Sequence, residues 1–88
     1  MKRVLKYELT PIGTTSMMMA PGPVLHVADQ RGRLCIWVEA DLTKAERIRT
    51  FSAIMTGATM EDGLDLTHCG TVLLYGGQYV VHIYEEAR

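Results

Sequence analysis

His26, His68 and His82 are the only histidines of this chain, and Cys35 and Cys69 its only cysteines. A zinc site needs three or four such ligands converging, usually with some of them paired a few residues apart. No histidine has another at i+2 or i+4, and the cysteines lack C-x-x-C spacing, so neither metal nor cofactor is expected. A nucleophilic cysteine needs an electropositive, accessible setting. Cys35, between Leu34 and Ile36, reads instead as an inert thiol in a buried strand. His82, expected opposite Thr71, reads as a structural or interface residue. Gly76-Gly77 does not precede a helix and so is no phosphate-cradling loop. The chain is therefore expected to be no enzyme, with no catalytic residues.

The arginines suggest contact. Arg31 and Arg33 flank a hairpin tip, while Arg47 and Arg49 share one face of an extended segment. Guanidinium groups fork onto carboxylates or phosphates, so all four are candidates for an anionic ligand or an acidic partner. The alternative is solvated strand surface. Trp37 and Tyr84 could anchor an interface, or could be ordinary core aromatics. Candidate partner-binding residues are thus Arg31, Arg33, Trp37, Arg47, Arg49, His82 and Tyr84.

Strands must position these groups. The run from Cys69 to Glu86 brackets Gly76-Gly77, a hairpin signal, because both central residues of a type I′ turn take positive φ. That loop pairs Leu74 with Tyr79, Val72 with Val81 and Gly70 with Ile83 on one face. Leu73 with Val80, Thr71 with His82 and Cys69 with Tyr84 fall on the other. Both faces are largely apolar, which predicts a central hairpin. A second hairpin turns at Arg31-Gly32. Its predicted core face is Leu25, Val27, Leu34, Ile36 and Val38, and its mixed face is His26, Ala28, Cys35, Trp37 and Glu39.

Residues 2–9 alternate Leu5, Tyr7 and Leu9 with Lys6 and Glu8, as a half-buried strand does. Thr14 to Met19 reads as a short strand ended by Ala20-Pro21-Gly22-Pro23. Three adjacent methionines in an extended strand must point to both faces, so at least one is exposed in a monomer. Residues 42–57 carry two patterns. Leu42, Ala45, Ile48, Phe51 and Ile54 recur at helical spacing, whereas 49–56 is rich in strand formers.

The chain's 88 residues predict one small β domain, 1–88, with a modest core. Hydrophobic residues at 48% exclude a disordered chain. A net charge of −1 argues against bulk attraction to nucleic acid or to an anionic membrane. No run reaches the roughly 18 apolar residues of a membrane span. Met1-Lys2-Arg3 opens in the manner of a secretory signal, but Lys6, Glu8 and Pro11 interrupt any apolar stretch, so a cytoplasmic protein with reduced cysteines is expected. The fold class is all-β, with room for one short helix in 42–57. The architecture is a compact antiparallel sandwich or rolled sheet of six or seven strands.

Several pieces carry a resemblance: Lys6-Tyr7-Glu8-Leu9, Met19 to Gly22, Leu34-Cys35-Ile36-Trp37, Thr50-Phe51, Thr56-Gly57, and Gly70-Thr71 through Gly76-Gly77 to His82 and Glu85. In order and spacing the chain resembles a family of small proteins from tailed phages and prophages, known only as a domain of unknown function. The resemblance implies a strand over residues 47–56 and a bacterial host cell. It brings no catalytic residues. Met19 is followed by Ala20 where the family usually has proline, and Ala58 stands where it has a histidine.

Two functional classes follow. One is a phage-type binding protein acting by stoichiometric contact, in counter-defence, on a host protein or a small ligand. The other is a structural or assembly accessory of the virion. Surplus apolar surface further predicts a homodimer or higher oligomer, joined through the methionine segment or the Trp37 face.

Overall fold

A computed structural model describes residues 1–87. Seven strands form among them, and no helix: β1 Lys2–Leu9, β2 Gly13–Met19, β3 Val24–Gln30, β4 Arg33–Asp41, β5 Arg47–Met55, β6 Leu66–Leu74 and β7 Tyr79–Glu86. They build two antiparallel sheets, of order β1-β4-β3 and β2-β5-β7-β6. Residues 47–55 are therefore strand, and the helical spacing from Leu42 to Ile54 is coincidental.

The sheets pack on one shared core. Leu9, Val27, Leu34, Ile36 and Val38 from the first sheet meet Met19, Phe51, Ala53, Val72, Leu74, Val81 and Ile83 from the second. Fully burying such side chains contributes about 1.5–3 kcal/mol each before chain entropy is counted. The molecule is flattened, 39 × 33 × 16 Å, which leaves each sheet a broad outer face.

Both expected hairpins form. At the first, Gln30 pairs with Arg33, and Arg31 and Gly32 turn with φ of 54° and 82°. The Asp29 carboxylate accepts the Gly32 N–H at 2.7 Å. At the second, Leu74 pairs with Tyr79, Val72 with Val81 and Gly70 with Ile83, as expected. The carbonyl of Tyr75 accepts the Gln78 N–H at 3.3 Å around Gly76 and Gly77.

Two β-bulges break the expected alternation. The first lies between Val24 and His26, so Val24 pairs with Val38 while Leu25 turns outward and is 50% exposed. The second lies between His68 and Gly70, so His68 pairs with Tyr84 and Cys69 turns toward the core. An inserted residue shifts the face of everything beyond it. The last hairpin, apolar over much of both faces, is central in only one of its two strands. β7 is interior, but β6 ends its sheet and Leu73 is exposed.

Short segments carry the chain between sheets. Ala20–Pro23 runs beside β4, where the Pro23 and Pro21 carbonyls accept from Glu39 N at 3.0 Å and Asp41 N at 2.8 Å. Gly22 has φ 147°, and a Cβ there would stand 1.9 Å from the Glu39 carbonyl oxygen. Only glycine fits that approach.

Candidate functional site

The outer face of the four-stranded sheet carries an unusual run of side chains. Strand alternation sends Thr14, Ser16 and Met18 of β2 outward. Ile48, Thr50, Ser52 and Ile54 of β5 follow, then Val80, His82 and Tyr84 of β7, and His68, Thr71 and Leu73 of β6. Apolar pairs lie at two corners, Met18 with Ile48 and Leu73 with Val80. Between them lies a band of hydroxyls and imidazoles, with Glu86, opposite Leu66, at its end on the same face.

The band is internally bonded. Ser16 Oγ and Thr50 Oγ1 are 2.9 Å apart, and Thr14 Oγ1 and Ser52 Oγ 3.3 Å. Thr71 Oγ1 lies 3.0 Å from His82 Nδ1 and 3.2 Å from His68 Nε2. His82 Nε2 lies 2.8 Å from Thr56 Oγ1, whose hydroxyl donates to the Val80 carbonyl at 3.4 Å. One set of protons satisfies all of these. With the Thr56 proton on Val80, His82 Nε2–H donates to Thr56, Nδ1 accepts from Thr71, and Thr71 accepts from His68 Nε2–H. The His68 ring meets Tyr84 edge-on, centroids 5.2 Å apart. The result is a row of fixed donors and acceptors across β6, β7 and the turn that follows β5.

For catalysis, a hydroxyl against an imidazole needs the imidazolium stabilised from its far nitrogen, as a carboxylate does in a triad. Thr56 occupies that position and cannot neutralise the charge. The arrangement suits recognition by hydrogen bonding. Among the described residues, no three His, Cys, Asp or Glu side chains converge as metal ligands.

Of the sequence-predicted contact residues, His82 and Tyr84 lie in this band. The others are elsewhere. Arg31 is exposed at the hairpin tip, and Arg33 pairs with Glu8 at 3.0 Å. Trp37 is on the outer face of the other sheet, its ring 5.8 Å from that of His26. Lys6 Nζ donates to Gln30 Oε1 at 2.6 Å across the same face, a line that passes over Cys35 and helps to bury it. Arg47 borders a shallow cleft with Thr67, Glu85, Glu86 and Ala87.

Arg49 is neither solvated nor free. It is 4% exposed and holds Glu85 through Nε–Oε2 at 2.6 Å and Nη2–Oε1 at 2.8 Å. Its Nη1 donates to the carbonyls of Gly22 at 2.9 Å and Ala20 at 3.3 Å, and its guanidinium sits 5.6 Å from the Phe51 ring centre. Arg49 therefore clasps the 20–23 crossing to β5 and β7. Beside it opens a cleft of about 380 Å³ reaching Cys69 and His68. Burial, reinforced by the Glu85 charge, pushes the Cys69 thiol up, which leaves it a poor nucleophile at neutral pH.

The family's sequence pattern, a domain of unknown function (DUF7352), matches residues 1–88. The chain belongs to this family. No curated protein and no solved structure matches this DUF7352 domain. Thr14, Ser16, Thr50, Ser52, Thr56, His68 and Thr71 are residues of the band that lie outside the candidates named from sequence. The Thr71–His82 register was readable from the hairpin, but the Cys69 bulge, which places His68 beside them, was not.

Proposed function

We propose that this domain works by stoichiometric contact rather than turnover, and that the outer face of its four-stranded sheet is the contact surface. The observation that carries the reading is the bonded row from His68 through Thr71 and His82 to Thr56. Donors and acceptors already fixed in place lose little entropy when a partner engages them. A band built mainly of neutral donors and acceptors gives specificity by hydrogen-bond geometry more than by electrostatic steering. The resemblance to small phage and prophage proteins supports a setting in the bacterial cytoplasm. There the partner is a host protein or a small ligand, and the role is counter-defence. The second reading, an accessory of virion assembly, draws on the open edge of β2, since strand addition suits assembly.

The test is retrieval from bacterial host cells with tagged wild-type, His82→Ala and Tyr84→Ala domains, followed by mass spectrometry of the captured species. One species should bind the wild type at a fixed molar ratio and bind both variants at least tenfold less, with their circular dichroism unchanged. Equal capture by the variants, or conversion of the captured species into product, overturns the reading.

A further inference from the structure

Two sheets present four edge strands, and three of them are protected. β1 carries Lys2, Arg3, Lys6 and Glu8, and charge on an edge opposes strand addition. β3 and β6 shield each other: they lie side by side, so close that a Cβ on Gly70 would stand 2.4 Å from Val27 Cγ2. β2 is the exception. Its sequence, Gly-Thr-Thr-Ser-Met-Met-Met, holds no charge and no proline. β5 pairs with one side of it, and among the described residues no strand runs along the other.

We infer that β2 is the self-association edge of this protein, pairing antiparallel with β2 of a second copy about a twofold axis near Ser16. The two four-stranded sheets then become one continuous sheet of eight. The occupant is a second copy because the strand complements itself. An antiparallel pair centred on Ser16 sets Thr14 opposite the second copy's Met18, and Thr15 opposite its Met17. These pairs set a small polar residue against methionine, Ser16 meets its own copy at the centre, Gly13 meets Met19 at the ends, and no charges meet. The apolar corner formed by Met18 and Ile48, 54% and 50% exposed, lies beside this edge. Closed twofold symmetry uses up both open edges and leaves none for further growth. The inference is independent of the contact-face reading above, because it is tested without any partner, and it competes with the assembly reading for the same β2 edge.

Sedimentation equilibrium from one to several hundred micromolar decides it, and the wild type should reach about twice 9.8 kDa. Thr14→Lys/Met18→Lys should stay at single-chain mass, and so should Thr14→Glu/Met18→Glu. An equimolar mixture of the two should return to the doubled mass, because the opposed charges now attract. Val4→Lys, on the outer face of the other sheet, should dimerise like the wild type. Circular dichroism and cooperative melting confirm that each variant is folded. A wild type of single-chain mass at the highest concentration overturns the inference, as does a dimer that both doubly charged variants retain.

Discussion

Replacing Glu85 by alanine leaves the Arg49 guanidinium buried without its counter-charge. Two of its four polar contacts go with the carboxylate, those of Nε and Nη2, while the Ala20 and Gly22 carbonyls remain on Nη1. Breaking a buried pair by removing one partner costs about 3–5 kcal/mol. Glu85 is 19% exposed on the side of the adjoining cleft, so water can enter and the loss should fall near the lower end, about 3 kcal/mol. That is a large share of the roughly 4–13 kcal/mol expected for a chain of this length. It corresponds to a melting temperature roughly 12–24 °C lower. Arg49→Met removes the charge as well as the bonds, and leaves Glu85 close enough to solvent to hydrate. It should cost less, about 1–3 kcal/mol for the unpaired carbonyls. Arg49→Met/Glu85→Leu should be more stable than Glu85→Ala alone, since an apolar pair can replace a buried ionic one. Urea unfolding followed by Trp37 fluorescence measures all three. Glu85→Ala within about 0.5 kcal/mol of the wild type would mean that the guanidinium is hydrated, and the clasp argument would fail.

Other outcomes follow from single sites. Val81→Asp puts a carboxylate at a position with no solvent exposure and should abolish soluble, cooperatively unfolding protein; recovery of such protein would show that this face of β7 is not core. Gly22→Ala should cost about 2–4 kcal/mol in the same urea titration, from steric overlap with the Glu39 carbonyl and the imposed φ. Because the folded Cys69 thiol is raised above its unfolded value, it favours folding fully below the unfolded thiol pKa. That stability is lost as pH climbs from about 8.5 through the folded value. Cys69→Ala should lose this alkaline component, and an unchanged pH profile would count against it. In native protein both thiols should react slowly with a disulfide reagent at pH 7.5, and both should react at once in urea.

How much of this was legible in sequence depended on the range of each interaction. The turns at Arg31-Gly32 and Gly76-Gly77 are local chemistry, and their registers could be read residue by residue. The bulges were not readable, because one inserted residue leaves composition untouched while reversing faces. Val24 thus replaced Leu25 against Val38, and Cys69 lost Tyr84 to His68. The segment 42–57 was ambiguous because Phe51 and Ile54 fit either period. Sheet pairing with β2 and β7 decided it, and that information lies outside the segment. Arg49 resembled a surface cation for the same reason. Its counter-ion is 36 residues away, and no local pattern marks a charged residue that will be enclosed. Of the bonded band, only the Thr71–His82 pair, within one hairpin, could be read in advance.

The interleaving of the two sheets has a consequence for synthesis on the ribosome. The three-stranded sheet draws on β1, β3 and β4, all made by Asp41, so its strands can pair early. β2 emerges among them but has no partner until β5 follows, and β6 has none until β7, the last of the seven described strands. The early sheet meanwhile lacks the layer that buries its core face, and the methionine-rich β2 trails unpaired from it. Elongation at about 5–20 residues per second keeps that strand exposed for seconds. The growing chain is therefore most open to chaperones, and to other nascent copies of itself, in the interval between β2 and β5.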